Sequence, residues 1–457
     1  MLTYELKKAP GVPLYEALYR CIRQDILSGA LAAGEKLPSK RALAVHLEVS
    51  KITVEAAYQQ LLSEGYIRSQ EKVGYFVESL QQQAVTPVQK EATLETEEDL
   101  IDLTGDSPSH FPFSVWSRLQ REVMLDLGEG LLLPLHNQGL PQLRNAIARH
   151  LSQFRGMQVD PDNILIGAGT DFLYNLLVQL LGRDKRYGVE EPGYGKIQKI
   201  YEAAGARCNL LTLDRQGVDP EELGDTQVLH ISPSHHFPSG IVTSLPRRQA
   251  LLTWAKEKAD RYIIEDDYDS EFRFNSHPLP AMQSLDGSGR VIYMNTFSKT
   301  LAPSIRISYM VLPDALMGQF REKLGFYSCT VPSFEQHTLE RFLSRGYFEK
   351  HLNRMRKFYK SMRNRVLAAI SNSPAAKDLT ILEEHAGLHF LLQVKHPITD
   401  AQLVESCRKL GLRVAALSSY YRFPEENSHC LVINYSGLTE KDLSQLEEIL
   451  NNAISYG

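Results

Sequence analysis

Cysteine is scarce in this chain, and the few cysteines follow no recognisable pattern. Five cysteines occur in 457 residues, and no two of them form a CxxC pair. They are Cys21, Cys208, Cys329, Cys407 and Cys430. An odd number of scattered cysteines argues against a disulfide framework and against a cysteine-rich zinc site. We therefore expect reduced thiols and no bound metal.

The sequence also lacks long apolar runs and any excess of positive charge. No uninterrupted apolar stretch approaches the roughly 20 residues that cross a bilayer, and the N-terminal MLTYELKKAP lacks the apolar core of a signal peptide. There are 50 Lys+Arg against 55 Asp+Glu, which excludes a generally polycationic protein but not a local nucleic-acid site. These absences predict a cytoplasmic protein without a membrane partner, and its length predicts two or more domains.

Residues 12–78 read as three short helices followed by a β-hairpin. Ser39 is placed to cap a short helix with Val45 on its inner face, and a second helix is expected over 51–64. Two β-branched and aromatic segments then enclose the polar turn SQEKVG. Three helices and a hairpin predict a winged helix-turn-helix, whose second motif helix enters the DNA major groove. A protein-binding module of the same shape is the alternative.

This stretch resembles the GntR type of winged helix through LPS-x-R-x-LA, VS-x-x-TV-x-x-AY-x-x-L, EGY and a glycine before FV. The resemblance implies DNA contacts from helix starts and from the wing. The matching positions are Ser39, Arg41, Lys51, Thr53, Lys72 and Gly74. Lys51 stands where the family usually has arginine, which preserves a phosphate contact but not bidentate base reading. Residues 1–80 hold ten Lys+Arg and nine Asp+Glu, so a single domain should bind DNA modestly without dimerisation.

Residues 79–100 are polar, rich in glutamine and then acidic, without apolar periodicity. We interpret them as a linker between a DNA-binding domain (1–78) and a larger domain (101–457). At about 3.3 Å per residue the linker could span roughly 70 Å. That reach would let the DNA-binding domain of one subunit lie over its neighbour, in a head-to-tail, domain-swapped homodimer.

From residue 101 onward, strand-like and helix-like segments alternate, which predicts a mainly parallel sheet wrapped by helices. After Phe320 the pattern changes, so we expect a larger α/β part over about 101–330 and a smaller α+β part over about 331–457. Ligands of open parallel sheets bind where the strands end. The polar exits of the strands should therefore share one site.

Lys299 follows one of these strands. The apolar run 291–294 leads into a polar turn with Thr296, Ser298 and Lys299, and Arg306 comes seven residues after the lysine. A lysine amine, hydroxyls and a guanidinium can together hold a molecule that is both a carbonyl compound and an anion. Pyridoxal 5′-phosphate is such a molecule. A surface lysine in a Ser/Thr-rich turn is the alternative.

Other strand exits supply matching groups. Gly169 and Thr170 precede a helix whose N-terminal amides suit a phosphate, although tight packing is a common reason for such a glycine. Tyr194, in EEPGYG, could lie flat on a heteroaromatic ring or simply pack. Asp266 ends a buried strand and could pair with a pyridinium nitrogen, while Tyr268 could reach the phenolic oxygen. The carboxylates around Asp266 could instead bind metal, but no histidine stands at ligand spacing.

Together these segments resemble fold-type I aminotransferases, and their fusion to the winged helix resembles the MocR/GabR family of transcriptional regulators. The resemblance implies that Lys299 forms the Schiff base with pyridoxal phosphate. It also assigns His235, in the SH-x-x-P-[ST]-G turn, a contact with the cofactor. The positions that match cofactor-binding residues of the family are Gly169, Thr170, Tyr194, His235, Asp266, Tyr268, Thr296, Ser298 and Arg306.

Two departures from the family lie near the expected phosphate. Asp171 stands where the family commonly has an uncharged residue, and a carboxylate beside a phosphate is unfavourable, so it should point away or cap the helix. The segment 134–139 lacks the tyrosine that usually reaches the phosphate across the dimer. His136 or Asn137 could replace it.

A third departure concerns the substrate. Val432 stands where aminotransferases usually carry the arginine that binds the α-carboxylate, and Arg413 or Arg422 could compensate. The sequence thus predicts a transcriptional regulator that binds operator DNA and senses a small amine, an amino-acid-like ligand or pyridoxal phosphate itself. A working aminotransferase with a DNA-binding domain is the alternative, and a cofactor-binding scaffold without a DNA role is a third.

Overall fold

The computed structural model describes residues 2–4, 13–71, 73–79, 100–105, 110–274, 279–384, 387–395, 397–423 and 427–452. The chain divides into two compact units, Met1–Glu95 and Thr96–Gly457. Within the described ranges, every helix is too short or too polar to span a bilayer.

The first unit contains, in its described residues, three α-helices and a two-stranded antiparallel hairpin. They are α1 (Leu14–Ser28), α2 (Lys40–His46), α3 (Lys51–Ser63), β1 (Ile67–Gln70) and β2 (Gly74–Val77). The hairpin register pairs Ile67 with Val77 and Gln70 with Gly74. One apolar core joins the three helices to the hairpin, with Leu18, Tyr58 and Val77 among its buried members. This is the winged helix-turn-helix that the sequence predicts.

Serine caps fix the starts of the two motif helices. The Ser39 hydroxyl accepts from the Ala42 amide at 3.2 Å, and the Ser50 hydroxyl accepts from the Thr53 amide at 3.0 Å. The expectation that Val45 faces inward is wrong, because its side chain is 75% exposed. Leu43 is fully buried on α2. Because Val45 follows two residues later, its side chain points about 200° away from that of Leu43 around the helix axis.

The second unit is built on an eight-stranded mixed sheet. Its strands are β4 (Ile164–Gly167), β5 (Arg186–Glu191), β6 (Arg207–Asp214), β7 (Gly217–Val218), β8 (Val228–Ile231), β9 (Tyr262–Asp266), β10 (Val291–Thr296) and β11 (Ser308–Val311). Their order is β4-β11-β10-β9-β8-β5-β6-β7. The central pairs from β10 to β6 are parallel, whereas β11 runs antiparallel to both of its neighbours.

Helices cover both faces of this sheet and bury two separate apolar cores against it. The helices of the larger part are α4 (Phe113–Leu127), α5 (Pro141–Arg155), α6 (Thr170–Leu181), α7 (Gly195–Ala203), α8 (Leu245–Glu257), α9 (Met282–Leu285), α10 (Asp314–Lys323) and α11 (Ser333–Ser344). The strands β4, β8, β9, β10 and β11 are buried throughout, as expected where both faces of a sheet are covered, whereas β6 is mostly half-buried or exposed.

A smaller antiparallel sheet completes the chain. It consists of β12 (Leu379–Leu382), β13 (His389–Val394), β15 (Ala415–Ala416) and β16 (Cys430–Asn434), and it is packed by α12 (Tyr347–Asn372), α13 (Asp400–Lys409) and α14 (Glu440–Asn452). A separate two-stranded pair is formed by β3 (Ile101–Asp102) and β14 (Leu412–Arg413). The strand at the start of the second unit therefore packs with the smaller part, not with the larger part to which the sequence assigned it.

The long helix α12 belongs to two cores. Phe348 and Leu352 near its start are buried with the larger part, whereas Met355, Tyr359 and later residues are buried with the smaller part. A single helix therefore holds the two parts of the second unit together.

Candidate cofactor site and nucleic-acid interface

The carboxyl ends of β4, β9 and β10 and the start of β11 meet at one edge of the large sheet. Met294 pairs with Asp266 between β10 and β9, while Ser308 on β11 pairs with Thr296 on one side and with Gly167 on the other. Lys299 lies in the turn directly after β10. The register thus brings the predicted phosphate loop, aspartate and lysine together at one edge, as the strand exits suggested.

Asp266 is the best-defined group of the site. Its side chain is 6% exposed; Oδ2 accepts from the Tyr174 hydroxyl at 2.5 Å and lies 3.4 Å from Nε2 of His230. The other nitrogen of His230 lies 2.6 Å from the Tyr201 hydroxyl. Burial and the neighbouring Asp266 carboxylate raise the pKa of Tyr174 well above its usual value, so its hydroxyl remains a donor.

One oxygen of Asp266 remains open. Oδ1 is buried and has no hydrogen-bond partner among the residues that the structure describes. A buried carboxylate oxygen without a partner is costly, so it marks a place for a donor from outside the chain. A protonated pyridine nitrogen has the required chemistry, and the residues present at this edge therefore fit pyridoxal phosphate.

Hydroxyls brace the turn that carries Lys299. The Thr296 hydroxyl lies 3.1 Å from that of Ser298, and the Ser308 hydroxyl donates to it at 2.8 Å. Lys299 itself is half-buried. Burial lowers the pKa of His389 well below its usual value, and the positive charge of Lys299 contributes to the same shift.

Gly169 and Arg306 form the predicted phosphate end. Gly169 has φ +88°, and a Cβ added to it would lie 2.2 Å from Nη2 of Arg306, so only glycine lets the guanidinium pass this close. Arg306 has the left-handed φ of 46°, a conformation that non-glycine residues adopt at some energetic cost. Thr170 begins α6 next to them.

Asp171 does not point away from this end, and the expectation that it should do so or cap the helix fails. Its Oδ2 accepts from Lys196 Nζ at 2.6 Å and from Arg306 Nη2 at 3.2 Å. The guanidinium that was expected to bind phosphate therefore already forms an ion pair with a carboxylate of the same chain.

Tyr194, His235 and Tyr268 follow the carboxyl ends of β5, β8 and β9. Tyr194 is 50% exposed, with its edge-to-face contact to Phe237 at 6.3 Å between ring centroids. His235 is 2% exposed; Nδ1 lies 2.8 Å from Oδ2 of Asp269 and 3.4 Å from the Tyr268 hydroxyl. In the described part of the chain Nε2 of His235 has no partner.

The smaller part closes against His235 through Gly387. A Cβ added to Gly387 would lie 1.9 Å from Cε1 of His235, and its φ is +69°. His389 follows on β13, with its ring centroid 4.5 Å from that of His235. Both parts of the second unit therefore contribute to the site.

Several of these residues were not predicted from the sequence. They are Tyr174, Lys196, His230, Asp269, Ser308, Gly387 and His389. A histidine inside the otherwise apolar strand VLHI was a usable signal for His230. The others reach the site through pairing of distant segments, for which the sequence carries no local signal.

The carboxylates around Asp266 have different partners and do not converge on a common point. Glu265 accepts from the Met282 and Gln283 amides, and Asp267 forms a buried ion pair with Arg155 at 3.0 Å. No group of three His, Cys, Asp or Glu with metal-ligand geometry occurs among the described residues.

Val432 lies in an apolar cluster at the place where a carboxylate-binding arginine was expected. It is 2% exposed and pairs with Leu391 and Ala415 across the smaller sheet. The cluster comprises Leu391, Cys430 and Val432, with Phe237, Leu417 and Tyr420 packed on them. The two candidate substitutes bind acidic residues elsewhere: Arg413 lies 3.5 Å from Asp102, and Arg422 lies 2.8 Å from Glu202.

The two candidates for the missing tyrosine differ in their contacts. Asn137 donates to the Gly325 carbonyl at 2.8 Å, which ties it to its own chain. His136 is exposed, and its Nδ1 accepts from the Gln138 amide at 3.3 Å.

Most of the predicted DNA contacts lie on the surface of the first unit. Ser39, Arg41 and Lys51 are exposed, whereas Thr53 is half-buried with its hydroxyl 2.8 Å from that of Ser50. Gly74 in the hairpin has φ +136°. Lys72 lies outside the described residues.

The neighbour of Lys51, Ile52, was not singled out from the sequence. Its side chain is 77% exposed on the first turn of α3. An exposed aliphatic group on a recognition helix suits the methyl group of thymine.

Comparison with known proteins agrees with this division of the chain. The family "Bacterial regulatory proteins, gntR family" matches residues 14–77, and "Aminotransferase class I and II" matches residues 98–450. The HTH-type transcriptional regulator YdeL of Bacillus subtilis is 37% identical over 97% of both chains. The probable rhizopine catabolism regulatory protein MocR of Rhizobium meliloti is 32% identical, covering 96% of this chain and 93% of MocR.

Among solved structures, the kynurenine aminotransferase of Pyrococcus horikoshii is similar to the second unit. It is 25% identical with a TM-score of 0.67, and the match covers 78% of this chain and 92% of the enzyme. The predicted fold class, a GntR-type winged helix with a fold-type I aminotransferase domain, is thereby confirmed. The chain belongs to the MocR/GabR family of transcriptional regulators, in which a DNA-binding domain precedes an aminotransferase-like domain.

Proposed function

We propose that this regulator binds pyridoxal phosphate at Lys299 and controls transcription through the state of that site. The observation that carries the proposal is the buried, unpaired Oδ1 of Asp266, among the described residues, at the sheet edge that also presents Lys299. The groups that would hold the cofactor are Gly169, Thr170, Tyr194, His235, Asp266, Tyr268, Thr296, Ser298, Lys299 and Arg306.

Three of these groups have a distinct part in the proposal: Asp266, Tyr194 and Arg306. Bound pyridoxal phosphate would supply an electrophilic carbon for amines and a ring that accepts electrons. Asp266, oriented by Tyr174 and His230, would hold the proton on the ring nitrogen. The exposed face of Tyr194 would cover the ring, and Arg306 would bind the phosphate.

The surroundings of Val432 support sensing over turnover. An apolar cluster offers no charge to an α-carboxylate, so an ordinary amino acid would lose the orientation that repeated catalysis needs. A small amine, or pyridoxal phosphate itself, would not depend on that contact. We therefore propose these two as effectors and regard any amino-group transfer as incidental.

A second copy of the chain fits an exposed apolar surface beside the site. Leu132, Leu133 and Phe326 are 74%, 68% and 76% exposed, and the Asn137–Gly325 hydrogen bond brings their segments together. The same loop reaches the phosphate end, where the Thr330 hydroxyl accepts from the Ala168 amide. Exposed apolar surface of this kind marks protein interfaces. We propose a homodimer in which the partner completes the phosphate end.

The effector must then favour one arrangement of the two DNA-binding domains. A ligand shifts an equilibrium only by its difference in affinity between the two states. The linker predicted over residues 79–100, of which 80–99 lie outside the described residues, would let the domains adopt more than one arrangement on operator DNA. As a DNA-binding regulator, the protein is expected to act in the cytoplasm.

Footprinting on the DNA upstream of its own gene tests the proposal. Wild type, Lys299→Ala and the surface control Lys323→Ala should be compared without ligand, with pyridoxal phosphate, and with added amines or amino acids. We expect Lys299→Ala to keep the ligand-free footprint but to lose both the visible absorbance of bound cofactor and every ligand-dependent change. An unchanged visible band in Lys299→Ala, or sustained turnover with an amino donor and an α-keto acid, would overturn the proposal.

A further inference from the structure

Three charged side chains meet at the phosphate end of the site. Oδ2 of Asp171 lies 2.6 Å from Nζ of Lys196 and 3.2 Å from Nη2 of Arg306. The side chains are partly open to solvent, with Asp171 34% exposed and the two cations each 47% exposed. A ligand that enters from solvent can therefore reach all three.

The local structure explains why these groups converge. Asp171 lies in the first turn of α6, and Lys196 lies in the first turn of α7. A helix N-terminus favours an anion, so Asp171 stands where the amides of α6 and the guanidinium of Arg306 would both stabilise negative charge. Gly169, one residue before α6, leaves the space that admits Arg306. The site that suits a phosphate is thus partly filled by a carboxylate of the chain itself.

Charge counting shows what a phosphate would meet there. Lys196 and Arg306 carry two positive charges and Asp171 one negative charge, which leaves a net charge of about +1. A phosphate monoester carries about −1.5 to −2 at neutral pH. Its arrival would leave the group of four with net negative charge, whereas without the Asp171 carboxylate the charges would nearly balance. Asp171 therefore opposes phosphate binding by repulsion and by occupying Arg306.

We infer that Asp171 is an internal competitor for the cofactor's phosphate, which weakens pyridoxal phosphate binding and makes occupancy depend on its concentration. Lys196 limits the penalty, because it can hold Asp171 aside when Arg306 turns to the phosphate. The inference rests on the proposed function, since it concerns the cofactor that Lys299 would bind. Pyridoxal phosphate is then a reversible ligand of this chain and not a permanently bound group.

Binding to the cofactor-free full-length protein tests this inference, with pyridoxal and pyridoxal phosphate as paired probes. Asp171→Asn keeps the shape of the side chain and removes its charge. We expect it to tighten pyridoxal phosphate about threefold to tenfold, in line with the range of exposed ion pairs and the added repulsion. Pyridoxal lacks the phosphate, so its affinity should stay unchanged. Equilibrium dialysis and the visible absorbance of bound ligand measure both.

Two further variants make the result specific. Asp314→Asn removes an acidic residue from the first turn of another helix, α10, and should change neither affinity. Lys196→Met should weaken pyridoxal phosphate binding, and adding Asp171→Asn to it should restore more affinity than Asp171→Asn adds alone. Such coupling is expected only when the two side chains act on the same ligand group.

Two outcomes would overturn the inference while leaving the proposed function intact. One is unchanged or weaker pyridoxal phosphate binding by Asp171→Asn. The other is an equal change for pyridoxal and pyridoxal phosphate, which would indicate a structural role of Asp171. If wild type binds neither probe at Lys299, the proposed function itself fails. Thermal unfolding midpoints of all variants verify that each is folded.

Discussion

Burial shifts the pKa values of two neighbouring side chains, Glu190 and His236, in opposite directions. Burial raises the pKa of Glu190 to about 8 from 4.5, and burial also lowers the pKa of His236 to about 3 from 6.5. The two side chains are 8% and 4% exposed, with Nε2 of His236 3.5 Å from Oε2 of Glu190. At neutral pH both are therefore uncharged, and their contact is polar but not ionic.

The sign of the pH effect follows from these shifts. Between pH 4.5 and about 8 the folded state keeps the Glu190 proton that the unfolded chain has lost, so the free energy of unfolding falls as pH rises. Between about 3 and 6.5 only the unfolded chain protonates His236, so stability falls as pH decreases. Between pH 4.5 and 6.5 the contributions of Glu190 and His236 to the pH dependence of stability cancel. Below pH 4.5 and above pH 6.5 one of them acts alone, and the free energy of unfolding falls.

Glu190→Gln should remove the loss of folding stability that Glu190 causes above pH 6.5. The amide keeps an acceptor for the Ser232 N–H, which donates to Glu190 at 2.8 Å, without the cost of holding a proton. We expect stabilisation of about 1–3 kcal/mol at pH 8 that disappears at pH 4.5. Thermal unfolding from pH 4 to 9 measures it, with the exposed Glu221→Gln as control. Equal melting curves for wild type and Glu190→Gln at pH 8 would contradict the assignment.

Gly169→Ala should abolish cofactor binding. The new methyl group would overlap the guanidinium of Arg306 and would force a left-handed backbone on alanine. We expect at least about a hundredfold weaker binding of pyridoxal phosphate, which corresponds to roughly 3 kcal/mol. Gly195→Ala is a matched control, because a Cβ there meets no atom within 4 Å. If Gly169→Ala bound pyridoxal phosphate as tightly as wild type, the present position of Arg306 would not be required for binding.

At the scale of elements, the N-terminal cap of α3 positions side chains that are predicted to contact DNA. Ser50 caps α3 through the Thr53 amide, so Lys51 and Ile52 lie in the first turn and remain exposed. Their positions depend on the fully buried Val54, Ala57 and Tyr58 behind them. Helix packing therefore presents one cation and one aliphatic group together.

Lys51→Ala tests the cation of this pair. We expect about threefold to tenfold weaker DNA binding, and a salt dependence of log K that is shallower by about one unit. The effect should be similar on different sequences, because a lysine–phosphate contact carries little sequence information. Titrations at several salt concentrations measure it, with Lys409→Ala, an exposed lysine of the second unit, as control. An unchanged salt slope would exclude a phosphate contact by Lys51.

Much of this architecture could be predicted because its signals are local. Each apolar run that ended in polar residues marked a strand exit, which is why Asp266 and Lys299 were found. The antiparallel strand β11 between β4 and β10 was not predicted, nor was the pairing of β3 with β14. Both depend on contacts between segments far apart in the chain. The partners of Asp266 were missed for the same reason, and the roles of the site residues stay predictions.

At the scale of the whole molecule, the apolar surface beside the site would link the proposed dimerisation to ligand binding. Leu133 is 68% exposed in a segment that adjoins the phosphate end. A dimer formed there would bury this surface and bring a second chain, through the exposed His136, close to the cofactor. Occupancy and assembly would then depend on each other, as linkage requires.

Leu133→Glu should weaken this dimer. A carboxylate in an apolar interface loses hydration without gaining a partner, so we expect dissociation to shift by at least about tenfold in concentration. Sedimentation velocity over a concentration series measures it, with and without pyridoxal phosphate. Leu410→Glu, at another exposed leucine, serves as control. An unaltered dimer in Leu133→Glu would place the interface elsewhere.

The contact between Gly387 and His235 has a mechanical consequence. Not even one added carbon fits between them, since it would lie 1.9 Å from the imidazole. The same carbon would lie 2.7 Å from Oδ2 of Asp269, so Gly387 packs against the hydrogen-bonded pair of His235 and Asp269. Any larger residue at position 387 would have to separate the smaller part from this pair or break the pair. The absence of a side chain at one position therefore sets how closely the two parts of the second unit approach each other here.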